Sequence, residues 1–420
     1  MRIAVIGSGG REHSICEKFY EANSVTNIFC IPGNGGTSKI AKNIDIDIKN
    51  FEEIKTFLIN NKIDFTVVGP EEPLVNGIVD YLNSNNLKVF GPDKFCSKLE
   101  GSKIFTKKIC QLKNIPTAKF RILDNLDSTL KYFENINFPL VVKADGLAAG
   151  KGVYICQNKV DAKKAAEEIF NGKFGIAKEI LIEEFLDGEE MSFFILYDNI
   201  SFKLFNTAQD HKRVFEADKG KNTGGMGAYS PSRLINQELE KKIINKIISP
   251  TLKYLKEQRG KYIGFLYAGL MIKENEPYLI EYNVRMGDPE CQTILPLLKN
   301  DFGELISKCV NQKLEAIQLE WKEKKSICIV VCSKGYPEKF EKDIIINNLK
   351  NFENHEDSYI FHAGTKIKNN NFYSTGGRVL NFVSLDSNFK NAREKSLKLI
   401  RDINWENGHY RRDIGYKVID

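Results

Sequence analysis

The sequence has no long apolar run and no paired cysteine motif. No stretch approaches the ~18–20 apolar residues of a membrane-spanning helix, and the chain passes from Met1 directly into a strand pattern, without a signal segment. Its nine cysteines are scattered, with no CxxC pair and no cluster with histidine. We therefore expect a protein of the reducing cytoplasm, without structural zinc and without a membrane partner.

The sequence also has only a small excess of basic over acidic residues. The net charge is +6 over 420 residues, and the lysines are interleaved with acidic residues rather than gathered in a basic tract. A nucleic-acid partner is therefore not expected, whereas a modest attraction for anionic metabolites is. The hydrophobic fraction of 42% is ample for packed cores, and the length predicts two to four domains.

The first hundred residues alternate between strand and helix patterns. Apolar strands are predicted at Arg2–Ile6, Asn27–Ile31, Phe65–Val68 and Lys88–Phe90, and each leads into a turn rich in glycine or proline: GSGGREH, PGNGGT, GPEEPL and GPD. This order predicts a parallel, doubly wound sheet whose turns gather at one edge, which is where such sheets bind ligands.

The middle of the chain favours antiparallel strands. A helix over Ser102–Lys113 precedes a predicted hairpin of Leu140–Ala144 and Val153–Cys156, with DGLAAGKGV at its tip. Further strands are predicted at Ile180–Phe185, Met191–Tyr197, Ser201–Asn206, Tyr267–Ile272 and Tyr278–Val284. A helix over Leu234–Ile248 is expected to stop there, with Ser249 capping a new helix that has Pro250 at its first position.

A small α/β domain is predicted at the end of the chain. The charged stretch Glu315–Lys325 has the composition of a linker. Beyond it, strands at Ile327–Ser333, Phe361–Lys366 and Arg378–Ser384 alternate with helices such as Ser387–Asp402.

The stretch LIEYNVRMGDPE, residues 279–290, carries the strongest chemical signal. Alternation along a strand predicts that Glu281, Asn283 and Arg285 share one face. The carboxylate and the carboxamide offer hard oxygen ligands to a divalent cation, and the guanidinium can hold an anion with two hydrogen bonds. A metal beside an anion clamp is what phosphoryl transfer requires.

Two glycine-rich turns are candidate phosphate sites. GSGGREH opens a helix after a strand, which favours a bound phosphate, but Glu12 stands where a dinucleotide fingerprint needs its third glycine. DGLAAGKGV lacks P-loop spacing, yet its glycines let backbone amides approach phosphates, which Lys151 could reach. Lys143 lies inside an apolar strand and could meet a phosphate or point to solvent. Glycines serving only tight turns, or an unliganded hairpin tip, remain the alternatives.

Two further segments have weaker signals. EEFLDGEE is either a solvated turn or a hinge whose backbone reads adenine while an acid holds the ribose. QDHKR and NTGGMGAYSP are predicted to lie in one long loop, and loops of that length in compact domains are usually functional or disordered. His211 in this loop has no visible catalytic partner, so a polar contact is favoured over a general base.

Together these motifs resemble the ATP-grasp superfamily and, within it, the phosphoribosylamine–glycine ligase family. The resemblance covers essentially the whole chain and rests on the order and spacing of VIGSGGREH, VGPEEPLVNGIVD, LEGSKIFTK, VVKADGLAAGKGV, IEEFLDGEE, NTGGMGAYSP, EYNVRMGDPE, FHAGT and GGRVL. It implies a Rossmann-like N-terminal domain over residues 1–102, an ATP-grasp core over 103–314 with a mobile lid at about 117–190, and a small C-terminal α/β domain over 326–420.

The resemblance also implies roles for individual residues. ATP would be bound by Lys103, Lys143, Gly150, Lys151, Gly152, Glu183, Leu186 and Glu190. Glu281 and Asn283 would ligate Mg²⁺ or Mn²⁺, and Arg285, Asp288 and Lys151 would be catalytic. The two other substrates would be bound by Gly9, Gly10, Arg11, Gly35, Gly36, Glu71, Asn222, Gly224, Gly225, Arg285, Asp288, Pro289 and Glu290.

The implied activity is that of a carbon–nitrogen ligase of purine biosynthesis. Glycine and 5-phosphoribosylamine would be joined at the expense of ATP through glycyl phosphate, by a chain expected to act as a monomer. Two departures stand out: Met286 replaces the family's usual Phe, and Tyr267–Ile272 offers no acid as a second metal ligand. The alternatives are a carboxylase-type ATP-grasp ligase, an NAD-dependent oxidoreductase and a non-catalytic nucleotide-binding protein.

Overall fold

The computed structural model describes residues 1–147, 152–175, 178–349, 352–355 and 357–419. Residues 1–100 form the predicted parallel sheet. Its strands are β1 (Arg2–Gly7), β2 (Asn27–Pro32), β3 (Lys42–Asn43), β4 (Phe65–Val68) and β5 (Val89–Phe90), in the order β3-β2-β1-β4-β5. The accompanying helices are α1 (Gly10–Tyr20), α2 (Phe51–Asn60), α3 (Glu71–Asn76), α4 (Ile78–Ser84) and α5 (Lys98–Gly101).

The centre of this sheet is β1, whose residues Ile3, Ala4, Val5 and Ile6 are fully buried. A continuous apolar run is what a parallel strand covered on both faces requires. Because β1 lies between β2 and β4, the turns that leave β1 and β4 are adjacent at the switch point of the sheet. The doubly wound prediction is confirmed, and it places the glycine-rich turns together.

A small antiparallel sheet follows α6 (Lys103–Lys113). It contains β6 (Phe120–Leu123), β7 (Leu140–Ala144), β8 (Val153–Cys156) and β9 (Ile180–Glu184) in the order β6-β9-β7-β8, with α7 (Leu126–Phe133) and α8 (Lys159–Phe170) sharing its apolar core. The predicted β7–β8 hairpin is confirmed by the antiparallel pairs Leu140–Cys156 and Lys143–Val153.

A second antiparallel sheet begins with β10 (Glu189–Tyr197) and β11 (Phe202–Leu204). The two strands predicted on either side of EEFLDGEE, β9 and β10, lie in different sheets, and the short segment 185–188 joins the two sheets. A four-residue connection between strands does not reveal whether the chain turns back on itself or crosses to a new sheet, because both outcomes satisfy the same local pattern.

The prediction of a long loop after β11 is wrong. The segment contains β12 (Gln209–Asp210), β13 (Arg213–Phe215), β14 (Lys219–Asn222) and β15 (Gly227–Ser230). β13 pairs with β14, and β15 pairs with a strand that begins about a hundred residues later. Strands of two to four residues are too short to show an alternating pattern of their own. The partner of β15 is in addition distant in sequence.

The chain then returns to the second sheet through a long helix. α9 (Gln237–Ile243) continues through a π-helical turn, Ile244–Ile248, into α10 (Ser249–Glu257). The predicted break is wrong, since Ile248 has helical φ and ψ of −69° and −57°. The π turn accommodates Pro250, which has no N–H for the helix ladder. β16 (Gly264–Lys273) and β17 (Glu276–Asn283) complete the sheet order β11-β10-β16-β17.

The rest of the chain forms the C-terminal unit. After α11 (Glu290–Ile294) and α12 (Phe302–Val310), the elements are β18 (Lys325–Ser333), β19 (Ile345–Ile346), β20 (Ser358–His362), β21 (Thr365–Lys368), β22 (Asn371–Ser374), β23 (Arg378–Asp386), α13 (Phe389–Ile403) and β24 (Gly408–His409). The main sheet has the order β12-β15-β18-β23-β20, with β24 beside β18, and a second sheet has the order β19-β22-β21.

One predicted strand of this unit is divided. The expected strand Phe361–Lys366 is split between β20 and β21, which belong to different sheets. Gly364 lies at the division, where an added Cβ would come within 2.5 Å of the backbone nitrogen of Gly376. The glycine permits this close approach of two backbones. Along the described ranges, none of the helices combines the length and apolar character that crossing a bilayer demands.

Candidate active site

A cavity of about 580 Å³ lies where the N-terminal sheet edge, both antiparallel sheets and the C-terminal sheet meet. Its lining includes Gly9, Lys103, Glu281, Arg285 and Arg378. These residues come from four segments spread along the chain, so the cavity exists only when all the units are assembled.

The end of β17 contributes the two oxygen donors. Glu281 pairs across the sheet with Gly269, and Asn283 pairs with Tyr267. An added Cβ at Gly269 would lie 3.3 Å from Cγ of Glu281, so the glycine leaves room for that side chain. Both donors line the cavity, as predicted. Among the described residues, no group of three or more His, Cys, Asp or Glu side chains is arranged to hold a metal ion.

Arg285 lies two residues beyond the end of β17. The strand is therefore shorter than the alternation implies, but Arg285 lines the same cavity as Glu281 and Asn283. Its Nη2 is 2.7 Å from Oε1 of Glu100, and its Nε is 3.3 Å from Oε2 of Glu71. Glu100 also accepts from the backbone N–H of Val284 at 2.8 Å. The strand ends because this loop turns toward the N-terminal domain, where two carboxylates fix the guanidinium at the cavity wall.

The pKa values of Glu100 and Glu71 are shifted in opposite directions. Burial raises the pKa of Glu100 to about 7, despite Arg285 beside it. Burial also acts upward on Glu71, but Arg285 and Arg11 outweigh it and lower the pKa of that group to about 2. Glu71 therefore stays ionised near neutral pH, whereas Glu100 can carry a proton there.

Glu12 explains why the first glycine turn departs from a dinucleotide fingerprint. Its Oε2 accepts from the backbone N–H of Gly9 at 2.6 Å, and its Oε1 is 2.6 Å from Nε of Arg11. An added Cβ at Gly69 would come within 2.1 Å of the same carboxylate. The carboxylate thus occupies the space over the turn that a dinucleotide pyrophosphate would need.

A buried trio of charges lies on the side of the cavity formed by β7, β9 and α6. The carboxylate of Glu183 is 2.5 Å from Nζ of Lys143 and 2.6 Å from Nζ of Lys107. Burial alone would raise the pKa of Glu183, but the two ammonium groups outweigh it and the pKa lies below its usual value. The in-strand Lys143 therefore has a protein partner and does not point to solvent.

The start of α6 anchors the strand that leads to the glycine-rich tip. Asp145 accepts from Oγ of Ser102 at 3.0 Å and from the backbone N–H of Ile104 at 3.1 Å. Nζ of Lys103 donates to the carbonyl of Gly146 at 2.9 Å. These bonds hold the first residues of DGLAAGKGV against the helix; Gly150 and Lys151 lie outside the described residues.

The C-terminal unit closes the cavity through Arg378. Its Nη1 donates to the carbonyls of Gly224 and Asp288, both at 2.6 Å. Gln292 donates to Oδ1 of Asp288 at 2.6 Å. Burial acts to raise the pKa of Asp288, but Arg378 and Arg11 lower it below its usual value, so this carboxylate stays charged.

Most of the predicted site residues meet at this cavity. Those that line it are Gly9, Arg11, Glu71, Lys103, Lys143, Gly152, Glu183, Gly224, Glu281, Asn283, Arg285, Asp288 and Glu290. Residues from both the ATP-like and the substrate-like motifs therefore line one cavity.

Several predicted substrate glycines instead pack between domains. An added Cβ at Gly10 would lie 2.3 Å from Nδ2 of Asn381, and one at Gly36 would lie 2.6 Å from Cδ2 of His362. Gly35 donates its backbone N–H to Thr365 at 3.1 Å. In the structure these glycines let the N-terminal turns approach the C-terminal unit closely. A glycine-rich sequence is typical both of such close approach and of ligand binding, so the sequence alone does not separate the two.

The other predicted residues lie beside the cavity rather than in its wall. Gly225 and Pro289 pack on each other, since an added Cβ on the glycine would lie 2.5 Å from Cδ of the proline. Asn222 lines a separate cleft, Glu190 is paired with Lys212, and Leu186 lies between β9 and β10.

Sequence reasoning did not select several residues that line the cavity. These are Glu12, Glu100, Asp210, Lys212, Tyr267 and Arg378. Asp210, Lys212 and Arg378 stand inside the motifs QDHKR and GGRVL, which were noticed but given no role. The predicted polar role of His211 agrees with its Nε2, which accepts from the backbone N–H of Gly415 at 3.0 Å.

Comparisons with known families match the chain in three consecutive parts. Residues 1–100 match the N domain of phosphoribosylglycinamide synthetase, residues 101–291 its ATP-grasp (A) domain, and residues 326–417 its C domain. The chain is 42% identical to a phosphoribosylamine–glycine ligase of Fusobacterium nucleatum, over 99% of this chain and 98% of the relative. It is 41% identical to one of Rhizobium meliloti, over 100% and 99%.

Comparison with solved structures indicates the same family. A crystal structure of phosphoribosylamine–glycine ligase from Thermotoga maritima superposes with a TM-score of 0.85 at 30% identity, covering 99% of this chain and 100% of that one. A biotin carboxylase from Campylobacter jejuni shares the fold at 15% identity, with a TM-score of 0.70 over 94% and 89% of the two chains. The chain therefore belongs to the phosphoribosylglycinamide synthetase family of ATP-grasp ligases.

Proposed function

We propose that the cavity performs the ligation named for this family: ATP, glycine and 5-phosphoribosylamine give glycinamide ribonucleotide, ADP and phosphate. This is a step of de novo purine biosynthesis. The observation that carries the proposal is the convergence of Lys103, Glu281 and Arg285 with the N-terminal glycine turn in one cavity. A cation, a pair of oxygen donors and an anion clamp are what a phosphoryl-transfer ligase must bring together.

The lid side of the cavity is assigned to ATP. Lys103 and Lys143 supply positive charge, and Glu183 holds Lys143 at 2.5 Å. Gly150, Lys151, Leu186 and Glu190 keep the nucleotide-binding roles that the family resemblance implies. The sheet of β6 to β9 is assigned the role of a lid that closes over the phosphates and excludes water from a hydrolysable acyl phosphate.

Glu281 and Asn283 are assigned to a divalent cation, Mg²⁺ or Mn²⁺. Their fit rests on the donor set: one carboxylate and one carboxamide at the strand end, both facing the cavity. The bound ion would neutralise phosphate charge. With two protein oxygens, the remaining ligands would be water or phosphate oxygens, which is the usual arrangement for Mg²⁺ beside a nucleotide.

The opposite side is assigned to glycine and phosphoribosylamine. The carboxylate of glycine attacks the γ-phosphorus and gives glycyl phosphate; the amine of phosphoribosylamine then attacks the acyl carbon and releases phosphate. Arg285 is held by Glu71 and Glu100, so it offers a fixed cation to the reacting carboxylate. Preorganised charge of this kind stabilises a transition state without reorganisation.

The test is phosphate release from ATP with each co-substrate supplied alone and with both together. Full turnover only in the presence of glycine and phosphoribosylamine supports the function. Turnover with bicarbonate in place of glycine would instead support a carboxylase of the same fold, and release with neither substrate would indicate a different ATPase. We further propose that the chain works as a monomer in the cytoplasm, which gel filtration and fractionation would test.

A further inference from the structure

The motif LEGSKIFTK ends in a lysine that lies behind the wall of the cavity. Lys107 follows Lys103 by one turn of α6. Lys103 lines the cavity, whereas Lys107 is only 1% exposed and is not among the described residues that line it. A lysine is rarely buried to this extent unless its charge is paired, because desolvation of an ammonium group is costly. The partners of Lys107 therefore indicate its role.

Three contacts hold the ammonium group of Lys107 in place. Its Nζ donates to Oγ1 of Thr117, which in turn donates to the carbonyl of Leu279 on β17 at 2.6 Å. The same Nζ lies 5.8 Å from the centre of the Phe120 ring on β6 and 2.6 Å from Oε1 of Glu183 on β9. Lys107 is thus fixed where the chain enters and leaves the sheet of β6 to β9.

The carboxylate of Glu183 is shared by two ammonium groups. Its Oε2 lies 2.5 Å from Nζ of Lys143, while its Oε1 faces Lys107. Lys143 lines the cavity, so of the two lysines it is the one that can meet a bound molecule. Because two ammonium groups surround one carboxylate, the trio has an excess of one positive charge.

This excess charge determines what Lys143 can do. If Lys143 were the only partner of Glu183, the pair would be neutral, and moving the lysine away would leave a buried carboxylate uncompensated, which is strongly unfavourable. Lys107 removes this obstacle, because it stays beside the carboxylate when Lys143 turns toward a ligand. An anionic ligand then meets a net positive charge rather than a neutral pair.

We propose that Lys107 is a positioning residue for nucleotide binding: it shares the carboxylate of Glu183 and so leaves Lys143 able to contact a phosphate of ATP. The proposal rests on the proposed function, which assigns Lys143 to the nucleotide. Lys107 itself touches no substrate. Its effect on affinity should therefore depend on the charge of the ligand and on the presence of Glu183, and not on the adenine ring.

The experiment compares Lys107→Met with wild type in the binding of MgATP and of adenosine. Competition titrations use the whole chain without glycine or phosphoribosylamine, so that ATP is not consumed. We expect the affinity for ATP to fall about 10- to 30-fold, the effect of removing one charge near the phosphates, while the affinity for adenosine changes less than about twofold. Lys107→Gln, whose amide can still donate to Thr117, is a second variant and should show the same selective loss.

A double variant separates the effect of charge from that of packing. Lys107→Met/Glu183→Gln removes both members of one ion pair, so Lys143 keeps the excess positive charge. The affinity for ATP relative to adenosine should therefore return to the wild-type value or exceed it, although the protein is less stable. Lys108→Met, which removes an exposed lysine from the same helix, is the matched control and should bind both ligands as wild type does.

An equal loss of affinity for ATP and adenosine in the Lys107 variants would overturn the inference, because that pattern indicates structural damage. Unchanged affinity for ATP would overturn it too. So would a selective loss that persists in the double variant, since the carboxylate of Glu183 would then not be what restrains Lys143. Failure of the proposed function has a different readout: wild type would release no phosphate in response to glycine and phosphoribosylamine, whatever the Lys107 variants bind.

Discussion

Arg378 donates from Nη1 to the main-chain carbonyl of Asp288 at 2.6 Å, while its Nη2 lies 3.3 Å from the carboxylate of the same residue. The same Nη1 reaches the carbonyl of Gly224 at 2.6 Å. One guanidinium from β23 thus joins the loop after β14 to the loop after β17. Through this contact the C-terminal unit contributes directly to the wall of the cavity.

Replacing Arg378 with Gln should therefore impair the substrate side of the cavity. The exposed carbonyl of Gly224 and the half-buried carbonyl of Asp288 would lose a charged donor, and hydrogen bonds to charged groups contribute about 1.5–3 kcal/mol each. The Asp288 carboxylate would lose the cation beside it and keep its hydrogen bond from Gln292. We expect kcat/KM for glycine and phosphoribosylamine to fall about 10- to 100-fold, with nucleotide affinity little changed. Steady-state kinetics beside a nucleotide-binding titration checks this. Arg401→Gln, an exposed arginine on α13, is the control, and equal losses in both variants would contradict the assignment.

Replacing Glu281 with Gln should weaken metal-dependent turnover while the fold survives. The change keeps the shape of the side chain and removes one anionic oxygen ligand, so the Mg²⁺ concentration for half-maximal activity should rise at least about tenfold. Thermal unfolding should be close to wild type, because no hydrogen bond to Glu281 is found among the described residues. Glu274→Gln, on the exposed turn of the same hairpin, should leave the metal titration unchanged. An unshifted titration in Glu281→Gln would refute the ligand role.

The buried trio of Lys107, Glu183 and Lys143 predicts which of two substitutions lowers the free energy of unfolding more. Glu183→Gln leaves two buried ammonium groups facing each other, whereas Lys107→Met leaves one compensated pair. Breaking a buried ion pair costs roughly 3–5 kcal/mol, so both variants should lower the free energy of unfolding, Glu183→Gln by more. Chemical denaturation measures the order, with Lys108→Met on the exposed face of α6 as control. The reverse order would mean that Lys143 is not held by Glu183.

A buried histidine predicts the acid sensitivity of the contact between the N- and C-terminal units. Nδ1 of His13 accepts from the backbone N–H of His362 at 2.8 Å. Burial lowers the pKa of His13 to about 3, and Lys39 adds to the effect. Below about pH 6.5 the unfolded chain binds a proton that the folded chain refuses, so this stability is complete above that pH and is lost as the pH falls toward 3.

The loss from this residue should be about 2 kcal/mol between about pH 6.5 and pH 5. His13→Asn keeps an acceptor for His362 and removes the titration, so its stability should fall less steeply. Glu17 has a pKa raised to about 7 by burial, which acts in the opposite direction, and its carboxylate lies 3.9 Å from Nε2 of His13. Both proteins are therefore compared in a Glu17→Gln background. Parallel pH profiles from denaturation at several pH values would contradict the prediction.

Local patterns in the sequence predicted the elements of this fold well. Three elements could be predicted because their residues interact with close neighbours in sequence. They are the apolar strand β1, the glycine turn after it and the amphipathic helix α13. The β7–β8 hairpin was likewise readable from its two apolar runs. The strands β12 and β15 were missed because each gains its hydrogen bonds from residues far along the chain, which no local pattern reports.

The sequence by itself determined the chemical inventory and the family. The order of the glycine-rich turns and of Glu281, Asn283 and Arg285 is a property of the chain alone. Only the tertiary structure decided which charged groups lie beside one another: Arg285 beside Glu71 and Glu100, and Lys143 beside Glu183. Pairing between charges depends on distance and burial. The partners of Arg285 lie 214 and 185 residues from it in sequence, so folding alone brings them together.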